Sequence, residues 1–245
     1  MFAAVITASC FFPMWLIEAL APGRAWPKRK LWLARALAFN AAQVGVVAVG
    51  AFTYDRWFPG ASLWSVASMG IVAGGLLSYL VITFFYYWWH RARHEVPALW
   101  RGLHQVHHSP QRLEVLTSFY KHPVEILING VLSSAIVYLV VGATPEQAAV
   151  GILLTGLAEL FYHWNVKTPY WLGFLIQRPE SHCVHHERGK HTHNFSDLPL
   201  WDMLFGTFRN PKATEFDCGF DGNAELDIPR MLVGLNPREE NHHAA

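Results

Sequence analysis

Charge is scarce in this chain. Asp, Glu, Lys and Arg make up 15% of its 245 residues, against roughly 25% in an ordinary soluble domain, while apolar residues reach 52%. That deficit excludes an ordinary soluble globule and points to a membrane protein. Basic runs are missing too: the formal net charge is +1 and no stripe of Lys and Arg stands out, so no nucleic-acid partner is expected. The three cysteines, Cys10, Cys183 and Cys218, are far apart and form no CxxC pair, so disulfides are not the scaffold. Cys183, beside His182, is a soft donor by chemistry but is expected to face away. Low-complexity segments are absent, and the one repeat is a doubled His-x-x-His-His.

Histidine is what the chain has instead. His90 and His94 are spaced i, i+4; His104, His107 and His108 are spaced i, i+3, i+4, and so are His182, His185 and His186. On a helix such steps bring side chains onto one face, with Cβ atoms about 5 to 6 Å apart, which suits metal ligation. Eight clustered histidines exceed the four or so that one tetrahedral zinc takes, so two metals are the simpler reading. His163 is a ninth candidate because it sits where an apolar run ends. His122, His191 and His193 are ligands, donors behind the ligands or surface residues; His242 and His243 read as tail.

The apolar runs set the architecture: an all-α, polytopic membrane helical bundle of four to five spans with a histidine-rich helical cap. Residues 2–20 carry only Glu18 and read as a retained transmembrane helix, since no basic residue precedes the run and no small-residue cleavage site follows it. Residues 23–30 form a short basic loop with Arg24, Lys28, Arg29 and Lys30, residues 31–54 a second apolar helix, and Pro59 and Gly60 a turn. Residues 61–89 are nearly uncharged and continue in helical pattern through His94 to Pro97, roughly 50 Å of helix against a hydrocarbon core of about 30 Å, so the far end projects into water. Residues 125–142 and 145–163 are two further spans, expected as a hairpin around the Gly142 to Pro145 turn. The positive-inside rule puts the basic loop in the cytoplasm, and helix count then brings every histidine cluster to the cytoplasmic face. Residues 164–245 are expected to join residues 91–124 in a soluble cap. Residues 198–208 are amphipathic, and either lie along the membrane surface or close the cap. The expected division is 1–60 for the first helices, 61–210 for the metal-bearing unit and 211–245 for a cytoplasmic tail.

The ligand type narrows the metal. Non-haem iron accepts imidazole and leaves positions open for dioxygen, whereas a structural zinc site is closed. Nearly neutral ligands would leave two ferrous ions with a charge of about +4, to be offset by hydroxide or nearby carboxylates. Glu95, Glu159, Glu187, Asp197 and Asp202 lie close in sequence, and several are expected to accept the distal imidazole N–H groups. Glu159 is the most informative, as an ionisable residue inside an apolar span. Phe84, Phe85, Tyr86, Tyr87, Trp88 and Trp89 read more simply as an interfacial aromatic belt than as the lining of a lipid entry.

The three histidine boxes, with Asn194-Phe195 and the run Trp201-Asp202-Met203-Leu204-Phe205-Gly206-Thr207-Phe208, resemble the fatty acid hydroxylase superfamily, also called the sterol desaturase family, over roughly residues 70 to 210. The resemblance implies a bacterial-type integral membrane di-iron oxygenase of the inner membrane that uses O2 and external electrons to hydroxylate or desaturate a lipid. It implies that the eight boxed histidines and His163 are iron ligands, with Glu159 and Asn194 as further candidates around them. His122, in His122-Pro123-Val124-Glu125, matches an element of several members, while Lys167 stands where some members carry a second histidine. No Gly-x-Gly-x-x-Gly fingerprint is present, so electrons are expected from a separate ferredoxin, cytochrome or reductase. The competing reading is a histidine-rich metal-binding or metal-transport protein; transport sites, however, lie near the midplane on polar, broken helices, and these spans are poor in polar groups. A third is a degenerate relative kept as a structural partner, against which the intact boxes weigh.

Overall fold

A computed structural model describes residues 2–52, 58 and 62–237. The expected Pro59 and Gly60 turn, the end of the second helix at Tyr54, and the His242 and His243 tail lie outside the described residues. Helices account for every long element: α1 (Phe2–Leu20), α2 (Trp32–Phe52), α3 (Ile71–Glu95), α4 (Pro97–Leu99), α5 (Gln105–His108), α6 (Pro123–Ala135), α7 (Pro145–His163), α8 (Pro179–His185), α9 (Pro199–Phe205) and α10 (Ile228–Leu232). Among the described residues, three stretches are long and apolar enough to cross a membrane, Trp32–Gly50, Ile71–Glu95 and Pro123–Val140, against four to five expected. Within α1 only the shorter apolar stretch Val5–Leu20 qualifies, and α7 carries Glu146, Gln147, Glu159 and His163. Large exposed apolar side chains on these helices, such as Val44, Val72, Leu76 and Leu127, suit a lipid surround and make this an integral membrane protein.

The third helix is shorter than its composition suggests. It starts at Ile71, because residues 62–70 are drawn into turns: Leu63 N donates to Leu139 O at 2.7 Å and Trp64 N to Val140 O at 3.1 Å. Its 25 residues span about 37 Å, still beyond the hydrocarbon core, so His90 and His94 leave at its far end. Val96 is extended, as the residue before Pro97 must be.

Residues 125–142 and 145–163 do not form the expected side-by-side hairpin. At Gly142, with φ +63°, a Cβ would fall 2.2 Å from Trp64 O, so only glycine makes this turn, and Thr144 then caps α7 reciprocally with Gln147. The chain is sent across the bundle: α7 packs on α3 and α1, while α6 packs on α2. Small residues permit the close approach of α3 and α7, since a Cβ on Gly151 would sit 3.0 Å from Ser78 Cβ and 3.3 Å from Gly75 O.

Buried charges tie the first helices to the cap. The Glu18 carboxylate accepts from Val115 N at 3.0 Å and Asn165 N at 3.0 Å. Arg29 and Arg35 both pair with the fully buried Glu225, at 2.7 and 3.0 Å, and Glu225 also accepts from Gln111 N. The basic loop and the cap therefore share one side of the bundle. Residues 211–237 fold back over this cap, with Phe220 and Met231 in a core shared with Trp32, Val106 and Tyr120. Helix α9 closes the cap with one face, Trp201 against Phe84 at 5.0 Å and Phe205 against Trp88 at 4.7 Å, and leaves Leu200, Met203 and Leu204 exposed on the other.

Candidate metal centre

Four helices bring nine imidazoles into two adjoining groups. His90, His94, His104, His108 and His185 form one, and His107, His163, His182 and His186 the other; within each, a ring nitrogen from every residue lies within 4.8 Å of all the rest. The sequence spacing acquires a meaning that it did not carry alone. In each His-x-x-His-His box the first and last residues, i and i+4, point to one group and the middle residue points to the other. Thus α5, with the turn before it, sends His104 and His108 one way and His107 the other, while α8 sends His182 and His186 one way and His185 the other. An i+3 side chain is rotated about 100° from i+4 on a helix, enough to reach across the seam. His108 and His186 stack at the seam, with ring centroids 4.1 Å apart and planes at 17°.

The inner nitrogens face one another. His90 Nε2 lies 3.0 Å from His104 Nε2 and His108 Nε2 3.2 Å from it; in the other group His163 Nε2 lies 3.3 Å from His107 Nε2 and 3.1 Å from His182 Nε2, with His186 Nε2 3.2 Å from His182 Nε2. The outer nitrogens are held by the scaffold: His90 Nδ1 by Phe195 O at 2.7 Å, His107 Nδ1 by Tyr120 O at 3.3 Å, His163 Nδ1 by Glu159 O at 2.8 Å and His185 Nδ1 by His193 O at 2.8 Å. An imidazole whose Nδ1 donates to a carbonyl presents a bare lone pair at Nε2. Clustered lone pairs at 3.0 to 3.3 Å repel and cannot bond to each other. His94 has neither ring nitrogen hydrogen-bonded, and His185 Nε2 is buried without a partner. This donor set fits a transition-metal cation in each group.

Burial maintains the neutral form. Loss of water drives the imidazoles of His104, His107, His108, His182 and His186 well below their usual range, and His185 down to about 3, with neighbouring cationic and imidazole groups adding to the effect. Neutral imidazole is the form that binds metal.

The expected carboxylate partners are mostly elsewhere. Glu159 meets His163 chiefly through its backbone carbonyl; its carboxylate stands 3.5 Å from Nδ1 and is paired with Lys121 Nζ at 2.7 Å. Glu95 pairs with Arg91, Glu187 with Lys190, and Asp202 accepts from the backbone N–H of Phe195 and Ser196, fixing the loop whose carbonyl holds His90. Asp197 lines a small cavity against the rings, and burial together with Glu159 pushes its carboxyl up to about 8. The carboxylate that does hold a ring is Glu125, fully buried, which accepts from His104 Nδ1 at 3.1 Å and from Arg93. Its signal was present in His122-Pro123-Val124-Glu125: proline fixes the helix start and places the acid in the first turn, facing the box. Gln177, whose carboxamide lies 2.6 Å from His182 Nδ1, had no such signal.

The remaining candidates stand outside both groups. His122 caps α6, its Nδ1 accepting from Val124 N at 3.1 Å and its Nε2 lying 3.1 Å from Leu232 O. His191 borders the five-histidine group, its ring tilted 5.0 Å from Trp100 and edge-on 4.7 Å from His108, with Nδ1 3.2 Å from His185 O. His193 contributes its carbonyl to His185, while its ring bonds Thr192. Asn194, at φ +57°, clamps α8 to residue 209 through Ser181 O, Arg209 O and Arg209 N. Cys183 faces away from the rings, as expected, towards Cys218. Of the aromatic run, Phe84, Tyr87 and Trp88 pack on α9, Trp89 is pinned to Asn129, and Tyr86 lines the cavity beside the histidines.

Comparison with known proteins agrees with this geometry. The family model for fatty acid hydroxylase matches residues 75–207, more than half of the chain and the stretch that carries all nine histidines. The chain is 29% identical over 140 residues to a sphingolipid C4-hydroxylase of Schizosaccharomyces pombe, covering 56% of this chain and 48% of that protein. It is 30% identical over 135 residues to the alkylglycerol monooxygenase of Homo sapiens, 54% of this chain and 29% of that one, and 29% identical over 181 residues to an ornithine lipid hydroxylase of Rhizobium tropici, 67% and 54%. The chain thus spans about half the length of these relatives or less. No solved structure matches it. With its boxes inside the matched stretch and their rings gathered into one paired centre, the chain belongs to the fatty acid hydroxylase family.

Proposed function

We propose that this protein is a membrane oxygenase that hydroxylates or desaturates a C–H bond of a lipid, with one iron in each histidine group and electrons from a separate ferredoxin, cytochrome or reductase. The observation that carries the reading is the division of nine inward-facing imidazoles into groups of five and four. When bound, the iron pair supplies the reductive activation of dioxygen, chemistry that no side chain performs alone. The relatives named above act, by their names, on a sphingolipid, an alkylglycerol and an ornithine lipid, which supports a lipid substrate here.

The chain's own residues orient, exclude and neutralise. Backbone carbonyls of Phe195, Tyr120, Glu159 and His193 fix the rings, so the ligand array is pre-organised before any metal arrives. Phe195 and Trp100 pack against the rings and keep water from them. Arg93 with Glu125 and Lys121 with Glu159 are buried ion pairs that bring little net charge to the centre. The basic loop, docked on the cap, supports a cytoplasmic face for the histidines, in a bacterial inner membrane.

Anaerobic iron reconstitution of the purified protein, followed by lipid profiling of cells with and without it, tests the proposal. Two irons per chain and an oxygen-dependent lipid product are expected. About one metal per chain, or no oxygen-dependent change in any lipid, overturns it.

A further inference from the structure

Donors without acceptors gather at one seam between the basic loop and the cap. Arg24 Nη1 and Trp26 Nε1, in the loop that follows α1, are buried and have no hydrogen-bond partner. Both side chains donate and cannot accept, and a guanidinium is always charged, so together they call for an acceptor that carries negative charge. Leaving two buried donors unmet is costly. The fold nevertheless fixes them in place: Asn165 Oδ1 accepts from Arg24 N at 3.0 Å, Asn165 Nδ2 donates to Arg24 O at 2.9 Å, and the guanidinium lies over the Trp26 ring at 4.4 Å.

The same two side chains line a cavity of about 420 Å³ enclosed by the basic loop, the turn after α7, the start of α8 and residues 212–215. Its wall carries four cations, Arg24, Lys167, Arg178 and Lys212, against two carboxylates, Glu180 and Glu215. Glu180 is already engaged by Thr168 N at 2.8 Å, Thr168 Oγ1 at 2.7 Å and Arg178 Nη1 at 3.2 Å. Arg178 also donates to Asn210 Oδ1 and Pro211 O, so this pair is complete. Lys167 and Lys212 are exposed at the rim, the latter with its ammonium 5.8 Å from the Tyr170 ring, and Glu215 is exposed as well. A neighbouring cavity of about 260 Å³ also touches Arg24 and Trp26, but its carboxylates are in use: Glu18 accepts from Val115 N and Asn165 N, and Glu114 from Trp32 Nε1 and Arg112. Cys183, the α8 side chain that faces away from the rings, lines the larger cavity, which therefore lies behind the histidine centre and apart from it.

We propose that this cavity is an oxyanion site that receives a phosphate group, carried on a small soluble molecule or on a lipid head, with Arg24 Nη1 and Trp26 Nε1 donating to its oxygens and Lys167 and Lys212 supplying charge from the rim. Phosphate suits the wall better than a carboxylate does. A phosphate monoester presents three strong acceptor oxygens and a charge of about −1.5 to −2, which donors on the loop, the turn after α7 and the return segment can share. A carboxylate offers two oxygens in one plane and a single charge. Bound there, the phosphate joins the segment that leaves α1 to α8, and so braces from behind the helix that carries His182, His185 and His186. The site stands whether or not the histidines serve an oxygenase.

The test is equilibrium binding to the full chain in maltoside micelles, which contain no phosphate. One arm titrates inorganic phosphate, with acetate at the same ionic strength for comparison; the other titrates dioleoyl phosphatidic acid into the micelles, with dioleoylglycerol for comparison. Saturable binding that the comparison compound does not match, together with a rise in melting temperature, is expected in at least one arm. Inorganic phosphate binding as tightly as the lipid, or alone, assigns a soluble ligand; phosphatidic acid binding more tightly, or alone, assigns a lipid head. Arg24→Met and Trp26→Phe should each weaken binding by about ten-fold or more, the worth of one hydrogen bond to a charged group, with helical circular dichroism unchanged. Trp26→Phe keeps a ring beneath the guanidinium and carries the test if Arg24→Met does not fold. Glu215→Gln should bind at least as tightly as the wild type; a loss of stability with no gain in affinity would make Glu215 the partner of Arg24 and overturn the assignment. No saturable binding in either arm, acetate and dioleoylglycerol binding as well as their phosphate counterparts, or wild-type affinity in Arg24→Met or Trp26→Phe overturns it too.

Discussion

Removing the Glu125 carboxylate separates what holds the fold from what orients the rings proposed to bind metal. Glu125 is fully buried between Arg93, 4% exposed, and His104, 1% exposed, and it serves both. In Glu125→Ala the guanidinium is left buried and unpaired, for which a loss of about 3 to 5 kcal/mol is expected. At the same time His104 Nδ1 loses its acceptor at 3.1 Å, so the ring is free to turn and to carry its proton on Nε2. Loss of such an orienting partner lowers metal affinity about 10- to 100-fold. The loss should fall on the five-histidine group, because the rings of the other group are held by Tyr120, Glu159 and Gln177. The assays are denaturant unfolding and chelator competition followed by metal analysis. Glu125→Ala should unfold earlier and release about half of its metal at chelator concentrations that leave the wild type loaded. Arg93→Met with Glu125→Leu should recover most of the stability, since an apolar pair replaces the buried ions, while the metal affinity stays low. A single variant with wild-type stability and affinity would refute the reasoning, and so would a double variant that recovers both together.

Other outcomes follow from the same structure. In the metal-free protein the buried histidines are neutral when folded and take up protons only on unfolding, so stability is full above about pH 6.5 and declines as pH falls from there towards the His185 value of about 3. Each such histidine costs up to about 1.4 kcal/mol per pH unit in that window, and a stability curve of the chelated protein that is flat between pH 8 and 5.5 would contradict this. His122→Ala removes the cap at Val124 N and should destabilise by about 1 kcal/mol with metal content unchanged; loss of metal in that variant would make His122 a ligand. Gly151→Leu drives a side chain into Ser78 and Gly75 O and should cost about 1 to 3 kcal/mol by overpacking. An unaltered melting temperature would show that α3 and α7 are not in close contact there.

Apolar runs and proline punctuation were enough to read both ends of α1 and α7 and the far end of α3, because a membrane span must be long and uninterrupted and because Pro97 and Pro145 admit few backbone states. Spacing was enough to nominate eight of the histidines, since i, i+3 and i+4 on any helix lie close together, and the end of an apolar run added His163. The start of α3 at Ile71 was not legible: residues 62–70 are as apolar as a helix, and only backbone hydrogen bonds to Leu139 and Val140 take them out of it. Nor was the pairing of α7 with α3, which depends on two small surfaces meeting across the bundle. Composition and spacing were sufficient to show an apolar, helical chain rich in clustered imidazoles. Which ring joins which group was settled by folding in three dimensions, as were the backbone carbonyls that hold four of the rings, the Gln177 carboxamide beside His182 and the Glu125 carboxylate on His104. Helical periodicity is a local property of the backbone, whereas the partner of a ring nitrogen is set by whichever distant segment packs against it.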